Sequence, residues 1–117
     1  MLLHIIQNIF ILVAIFTLPT IGFSQKKVTQ DTIIVEGVCG MCKTRIEEAA
    51  FGKGVKFAEW TKETGQLTLV YRSDKTSLDS IESRIVEAGH STENKAAEKE
   101  DYTSLPECCR YEHQHKH

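Results

Sequence analysis

Two cysteines three positions apart, in Cys39-Gly40-Met41-Cys42, are the residues best equipped for chemistry. Thiolate is both a soft metal ligand and the nucleophile of disulfide exchange. A pair at this spacing can grip one soft ion, Cu(I), Hg(II) or Zn(II), or cycle between dithiol and disulfide. A second pair, Cys108-Cys109, stands near the other end, with His113, His115 and His117 behind it. A bridge between adjacent cysteines is strained and closes no useful loop, so that spacing suits ligands better than scaffolding. Cysteine and histidine clustered this closely form a donor set for copper or zinc. The tail therefore offers either a second soft-metal site or extra thiolates for the first. His90, directly after Gly89, has the plain reading of a surface histidine complementing a helix dipole.

These residues need elements to hold them. Thr32 to Glu36 is β-branched and apolar, a strand that feeds the glycine-bearing loop with Cys39 and Cys42. From Met41 to Phe51 the pattern is helical, with Cys42, Ile46, Ala49 and Ala50 on one face and Lys43 and Glu47 four apart on another. Both thiols thus meet the free N–H groups of a helix start, which favour negative charge and lower a thiol's pKa. Gly52-Lys53-Gly54 ends that helix. Val55 to Thr61 reads as a second strand with a bulge near Lys56 or Phe57, and Phe57 and Trp60 as core or edge-strand residues. After a turn at 62–65, Gln66 to Tyr71 returns with Leu67, Leu69 and Tyr71 on one face.

A second helix opens at Thr76 or Ser77, where Thr76-x-x-Asp79 has the form of a capping box. Its stripe is Leu78, Ile81, Ile85 and Ala88, and Gly89 closes it. His90 to Glu93 should form a weak fourth strand. The order β-α-β-β-α-β predicts an α+β, ferredoxin-like sandwich: a four-stranded antiparallel sheet with two helices on one face. Residues 25–30 are a polar lead-in. Residues 94–101 suit a short frayed helix, and Tyr102, Leu105 and Tyr111 are expected to anchor the tail to the sheet.

The chain has 117 residues, enough for one small domain. Residues 1–24 carry no Lys, Arg, Asp or Glu and hold an apolar run through Leu18, then Pro19 and Gly22-Phe23-Ser24. This reads as a secretory signal peptide cut after Ser24, although a basic residue is missing from its start. The alternative is a membrane anchor through residues 2–23. The expected organisation is 1–24 signal peptide, 25–93 folded domain and 94–117 Cys/His-containing tail, exported and periplasmic. With 14 basic against 16 acidic residues, nothing points to nucleic acid.

The strand, Gly37, Cys39-Gly40-Met41-Cys42, Ile46-Glu47, Gly54-Val55 and Ala88-Gly89 together resemble the heavy-metal-associated domain of copper chaperones and of the periplasmic mercury-binding protein. The resemblance covers about residues 30–93; the loop Gly37-Val38-Cys39 is one residue shorter than the family's Gly-Met-Thr-Cys. It implies one soft ion between Cys39 and Cys42, with His90 at a place where some bacterial copper chaperones carry a histidine that reaches the ion. Cu(I) is the first expectation, ahead of Hg(II) and of Zn(II), which wants four ligands. The expected protein is a non-enzymatic metal binder of the chaperone or sequestration type, passing its ion on by ligand exchange, with a metal-transporting membrane protein or another metal-binding domain as its partner. A monomer is expected, with an ion-bridged dimer as the variant. The rival reading is a thiol–disulfide oxidoreductase. Against it, the only proline beyond residue 24 is Pro106, and no Trp precedes Cys39.

Overall fold

The computed structural model describes residues 1–7 and 27–113. The proposed cleavage point after Ser24, most of the segment 1–24, and His115 and His117 lie outside them. Among the described residues no helix is long and apolar enough to cross a membrane.

The elements run β1 (Val28–Ile34), α1 (Gly40–Ala50), β2 (Val55–Thr61), β3 (Gln66–Arg72), α2 (Leu78–Glu87) and α3 (Lys99–Thr103), followed by short 3-10 turns at Glu107–Cys109 and Tyr111–His113. The sheet is antiparallel, in the order β1-β3-β2. Cross-strand partners Ile33 and Leu67, and Trp60 and Leu67, share one face. With Leu69 and Tyr71 they are buried, while alternate residues of β1 are exposed or half-exposed. One face of the sheet therefore carries the core. From the helices, Cys42, Ile46, Ala50, Ile81 and Ile85 fill that core.

The β2 register shifts between Val55 and Phe57, as the broken alternation predicted. The extra residue resets the period, so Val55 and Trp60 both point inward and Phe57 is left exposed. Trp60 is fully buried and its indole N–H reaches the carbonyls of Val35 and Gly65, each at 3.1 Å. Gly37 passes directly over this ring: a Cβ there would lie 2.9 Å from Trp60 Cζ2. The tryptophan thus fixes the course of the loop leading to Cys39.

Three sequence expectations need correction. Among the described residues the sheet has three strands, and the expected fourth is reduced to a single bridge between Val35 and Thr92. Hydrogen bonds flank that bridge (Glu36 N–H to Ser91 O and Glu93 N–H to Ile34 O, both 2.9 Å), but the chain then turns. Thr92 N–H donates to Lys95 O at 2.8 Å and its hydroxyl accepts from the N–H groups of Asn94 and Lys95, so the backbone bonds locally instead of extending a ladder. The N-cap of α2 is Ser77, accepting from Ser80 N–H at 3.1 Å, and not a Thr76–Asp79 box. Finally, β1 begins at Val28 inside the supposed lead-in, because ladder pairing with Val70–Arg72 uses main-chain groups and needs no apolar side chains.

Candidate metal centre

The loop after β1 and the first turn of α1 build the site. Cys39 is the N-cap of α1, in extended conformation, and no side chain caps the helix conventionally. The Met41 and Cys42 N–H groups at the helix start favour negative charge on its sulfur. Cys42, one turn in, lies on the buried face with Ile46. The helix is pinned to β2 by Glu47, which accepts from Trp60 N–H at 2.9 Å and pairs with Lys43. At its C-terminal end, Arg84 of α2 donates to the carbonyls of Ala49 and Ala50 at 3.1 and 2.8 Å. The cysteine turn therefore sits on a helix held against both β2 and α2.

All four cysteines are free thiols. Cys39 Sγ lies 3.2 Å from Cys42 Sγ and 3.7 Å from Cys109 Sγ, and Cys109 Sγ lies 3.9 Å from Cys108 Sγ. The ligand atoms of Cys39, Cys108 and Cys109 all fall within 4.8 Å of one another. Cys108 also approaches the thioether of Met41 at 3.7 Å. The structure thus gathers both cysteine pairs, and a methionine that sequence reasoning treated only as a helix residue, into one patch of soft donors. Of the two arrangements open for the tail thiols, it places them beside the Cys39–Cys42 turn.

The thiols are not equivalent, contrary to the expectation that the helix start lowers both. Burial works to raise Cys39, but hydrogen bonds from the Cys42 thiol and N–H, the Cys109 thiol and the Met41 N–H outweigh it, leaving this thiol below its ordinary value. Cys42 is raised, because burial of its inward-facing sulfur is the dominant effect. Cys109 is raised as well, first by burial and then by its hydrogen bonds to Cys42 and Cys39. Of the two thiols of the turn, the partly exposed Cys39, which accepts from the Cys42 thiol, takes negative charge more readily.

His90 is fully buried and not the surface histidine of the plainer reading. Its Nδ1 lies 2.8 Å from Glu36 O, and because a carbonyl can only accept, that nitrogen carries the proton. Burial lowers its pKa, and nearby Arg45 adds to this against the opposing hydrogen bond to Glu36, so the ring is neutral. Nε2 then presents a lone pair with no hydrogen-bond partner among the described residues. His90 is not a member of the close sulfur group and stacks on Tyr111 at 5.8 Å between ring centroids.

Tyr102, Leu105 and Tyr111 do anchor the tail, at the end of α2 more than at the sheet. Leu105 is buried in the core cluster, and Tyr111 Oη accepts from Ser91 N–H at 3.0 Å and lies 3.1 Å from Gly89 O. In place of a frayed helix over 94–101, a short α3 begins at Lys99. The side chain of His113, like His115 and His117, falls outside the described part.

No family model matches the sequence, and no curated protein does. Solved structures do match. A CopZ metallochaperone is 30% identical, with a TM-score of 0.53, over 55% of this chain and 98% of that one. A provisionally assigned copper-ion-binding protein from Bacillus anthracis str. Ames is 25% identical, with a TM-score of 0.54, over 59% of this chain and 100% of its own. Oxidized MerP from Ralstonia metallidurans CH34 is 22% identical, with a TM-score of 0.47, over 55% and 94% respectively. The near-complete coverage of the first of these, together with the antiparallel α+β frame and the cysteine turn at the head of α1, places this chain in the heavy-metal-associated domain family.

Proposed function

We propose that this protein is a soft-metal carrier that binds one ion through Cys39 and Cys42 and passes it on by ligand exchange. The observation that carries the reading is the pair of sulfurs 3.2 Å apart at the start of α1, one of them held below its ordinary pKa. The similarity to a CopZ metallochaperone and to the Bacillus anthracis protein supports it.

Binding begins at Cys39, whose sulfur gives up its proton at the least cost and meets the ion first. Bond formation to the ion then drives the proton from Cys42, since a thiol must be deprotonated to ligate. Low coordination leaves room for a partner's thiolate to join the ion. One original sulfur then leaves, a second thiolate of the partner displaces the other, and each leaving thiolate takes up the proton that the incoming thiol gave up. No bond of a substrate is broken, so the chain acts as a carrier and not as an enzyme. Cu(I) is the favoured ion because it accepts two or three soft ligands. Hg(II) and Zn(II) are the alternatives, and Zn(II) would draw on Cys108 and Cys109 to reach four. Residues 1–24 are proposed to export the chain to the periplasm, with anchoring through residues 2–23 as the alternative. A metal-transporting membrane protein or another metal-binding domain is the proposed partner.

The test is anaerobic reconstitution of the reduced full chain with Cu(I), Hg(II) and Zn(II) in competition. Uptake of one ion that disappears in the Cys39→Ser, Cys42→Ser double variant is expected. Equal uptake by the double variant would remove the reading.

A further inference from the structure

The C-terminal thiols sit where a solvated tail would not leave them. Cys109 is fully buried, and its sulfur is 3.7 Å from that of Cys39. The Cys42 sulfur lies 3.2 Å from the same Cys39 sulfur. We propose that Cys109 is a third thiolate of the ion site, so that the cargo is held by Cys39, Cys42 and Cys109 beneath a strap formed by residues 104–112. The proposal rests on the Cys39–Cys42 reading above and extends it from an open two-sulfur loop to a closed three-sulfur site.

The strap is built to hold that sulfur in place. Leu105 is 1% exposed and lies against Gly89, where a Cβ would meet Asp101 O at 2.6 Å and Leu105 Cγ at 2.8 Å. Gly89 also has φ +100°, so the close approach and the backbone both require glycine there. From the other side, Arg110 Nε donates to Leu105 O at 3.2 Å, and Cys109 N–H closes its 3-10 turn onto Pro106 O at 2.8 Å. The turn bearing Cys109 is thus fastened before and after the cysteine, by Leu105 and by Tyr111.

Distances decide between two sulfurs and three. Taking about 2.3 Å for a metal–thiolate bond, two sulfurs in line across an ion stand roughly 4.6 Å apart, and three in a trigonal plane roughly 4 Å apart. Cys39 and Cys42, at 3.2 Å, would have to spread far to bind linearly, and they lie on one fixed helical turn. The Cys39–Cys109 separation of 3.7 Å already approaches the trigonal value. The sulfurs of Cys39, Cys108 and Cys109 fall within 4.8 Å of one another, and the proposed site exchanges Cys108 of that group for Cys42, whose sulfur is 3.2 Å from that of Cys39. Cys108 is the exposed member and Cys42 the buried one, so the enclosed triad uses Cys42 and leaves Cys108 at the rim beside Met41. An ion held this way leaves only as the strap lifts, which favours retention over rapid hand-off.

The experiment is X-ray absorption on the reduced, Cu(I)-loaded full chain, with retention measured against a colorimetric Cu(I) chelator. The parent and Cys108→Ser should each show three sulfur neighbours, and Cys109→Ser two. Retention in Cys109→Ser should fall at least about tenfold, the scale on which metal sites respond even to losing a group that merely supports a ligand. Two sulfurs in the parent would overturn the proposal however the variants fold. So would three sulfurs in Cys109→Ser, or two in Cys108→Ser. Should Cys109→Ser match the parent while Cys39→Ser, Cys42→Ser takes up no ion, the strap is no ligand but the carrier function stands. Should that double variant still load, both fail.

Discussion

Leu105→Ala should free the strap without touching a sulfur. The side chain is 1% exposed, among core residues, and beyond it the strap is held by Cys109, by Tyr111 packed on His90 and Tyr102, and by polar contacts of Tyr111 and Arg110. Truncating a buried leucine costs about 2–5 kcal/mol, and at a site formed partly by a loop that can settle inward about 2–4 kcal/mol is the appropriate range. Cys109 is fully buried, so a thiol reagent reaches it only when the strap opens. At 1.4 kcal/mol per factor of ten, the variant should raise its alkylation rate roughly 30- to 700-fold. The adjacent Cys108 is exposed and serves as an internal reference that should not change. Time-resolved alkylation of the metal-free chain, read by tandem mass spectrometry, gives both rates from one sample. If Cys109 reacts no faster in the variant, Leu105 does not hold the strap and the reasoning is wrong.

Within the turn, Cys39 should be alkylated at lower pH than Cys42, because hydrogen bonds lower the first thiol and burial raises the second; a pH series of reaction rates checks the order, and reversal would refute it. Gly37→Ala should cost about 1–3 kcal/mol in denaturant unfolding, since its Cβ would stand 2.9 Å from a fully buried indole that has no room to retreat. The Tyr71 phenol is raised to about 12 by burial and then by donating to Asp31 Oδ2 at 2.6 Å. The folded form therefore keeps a proton that the unfolded form loses near 10. Its stabilising contribution is complete below pH 10 and is lost as pH rises through about 12. Tyrosinate absorbance should show one late-titrating phenol that vanishes in Tyr71→Phe.

The frame and the paired cysteines were legible in the sequence because their signals are local. The alternation of Leu67, Leu69 and Tyr71, the helical spacing of Cys42, Ile46 and Ala50, and the glycines at 54, 65 and 89 each act within a few residues, and the structure uses all of them. The broken alternation of Val55 to Trp60 even located the bulge. What local pattern could not give was the outcome of competition between a residue's own backbone and a distant partner. At Thr92 the hydroxyl and the turn to Lys95 prevailed over a ladder that His90 to Glu93 could otherwise have formed.

By itself, then, the sequence determined which atoms can do chemistry: two thiols at the head of a helix, two more near the terminus and a histidine after Gly89. Only the tertiary structure decided that the four thiols share one patch, through a close approach at Gly89 that seats Leu105 and carries Cys109 to 3.7 Å from Cys39. It also divided the helix-start thiols, lowering Cys39 and raising Cys42, because the first is partly open to solvent and takes a hydrogen bond from the second, whose sulfur is buried in the core. Spacing along a chain sets which donors are available; burial and the meeting of remote segments set their charge and their number around an ion.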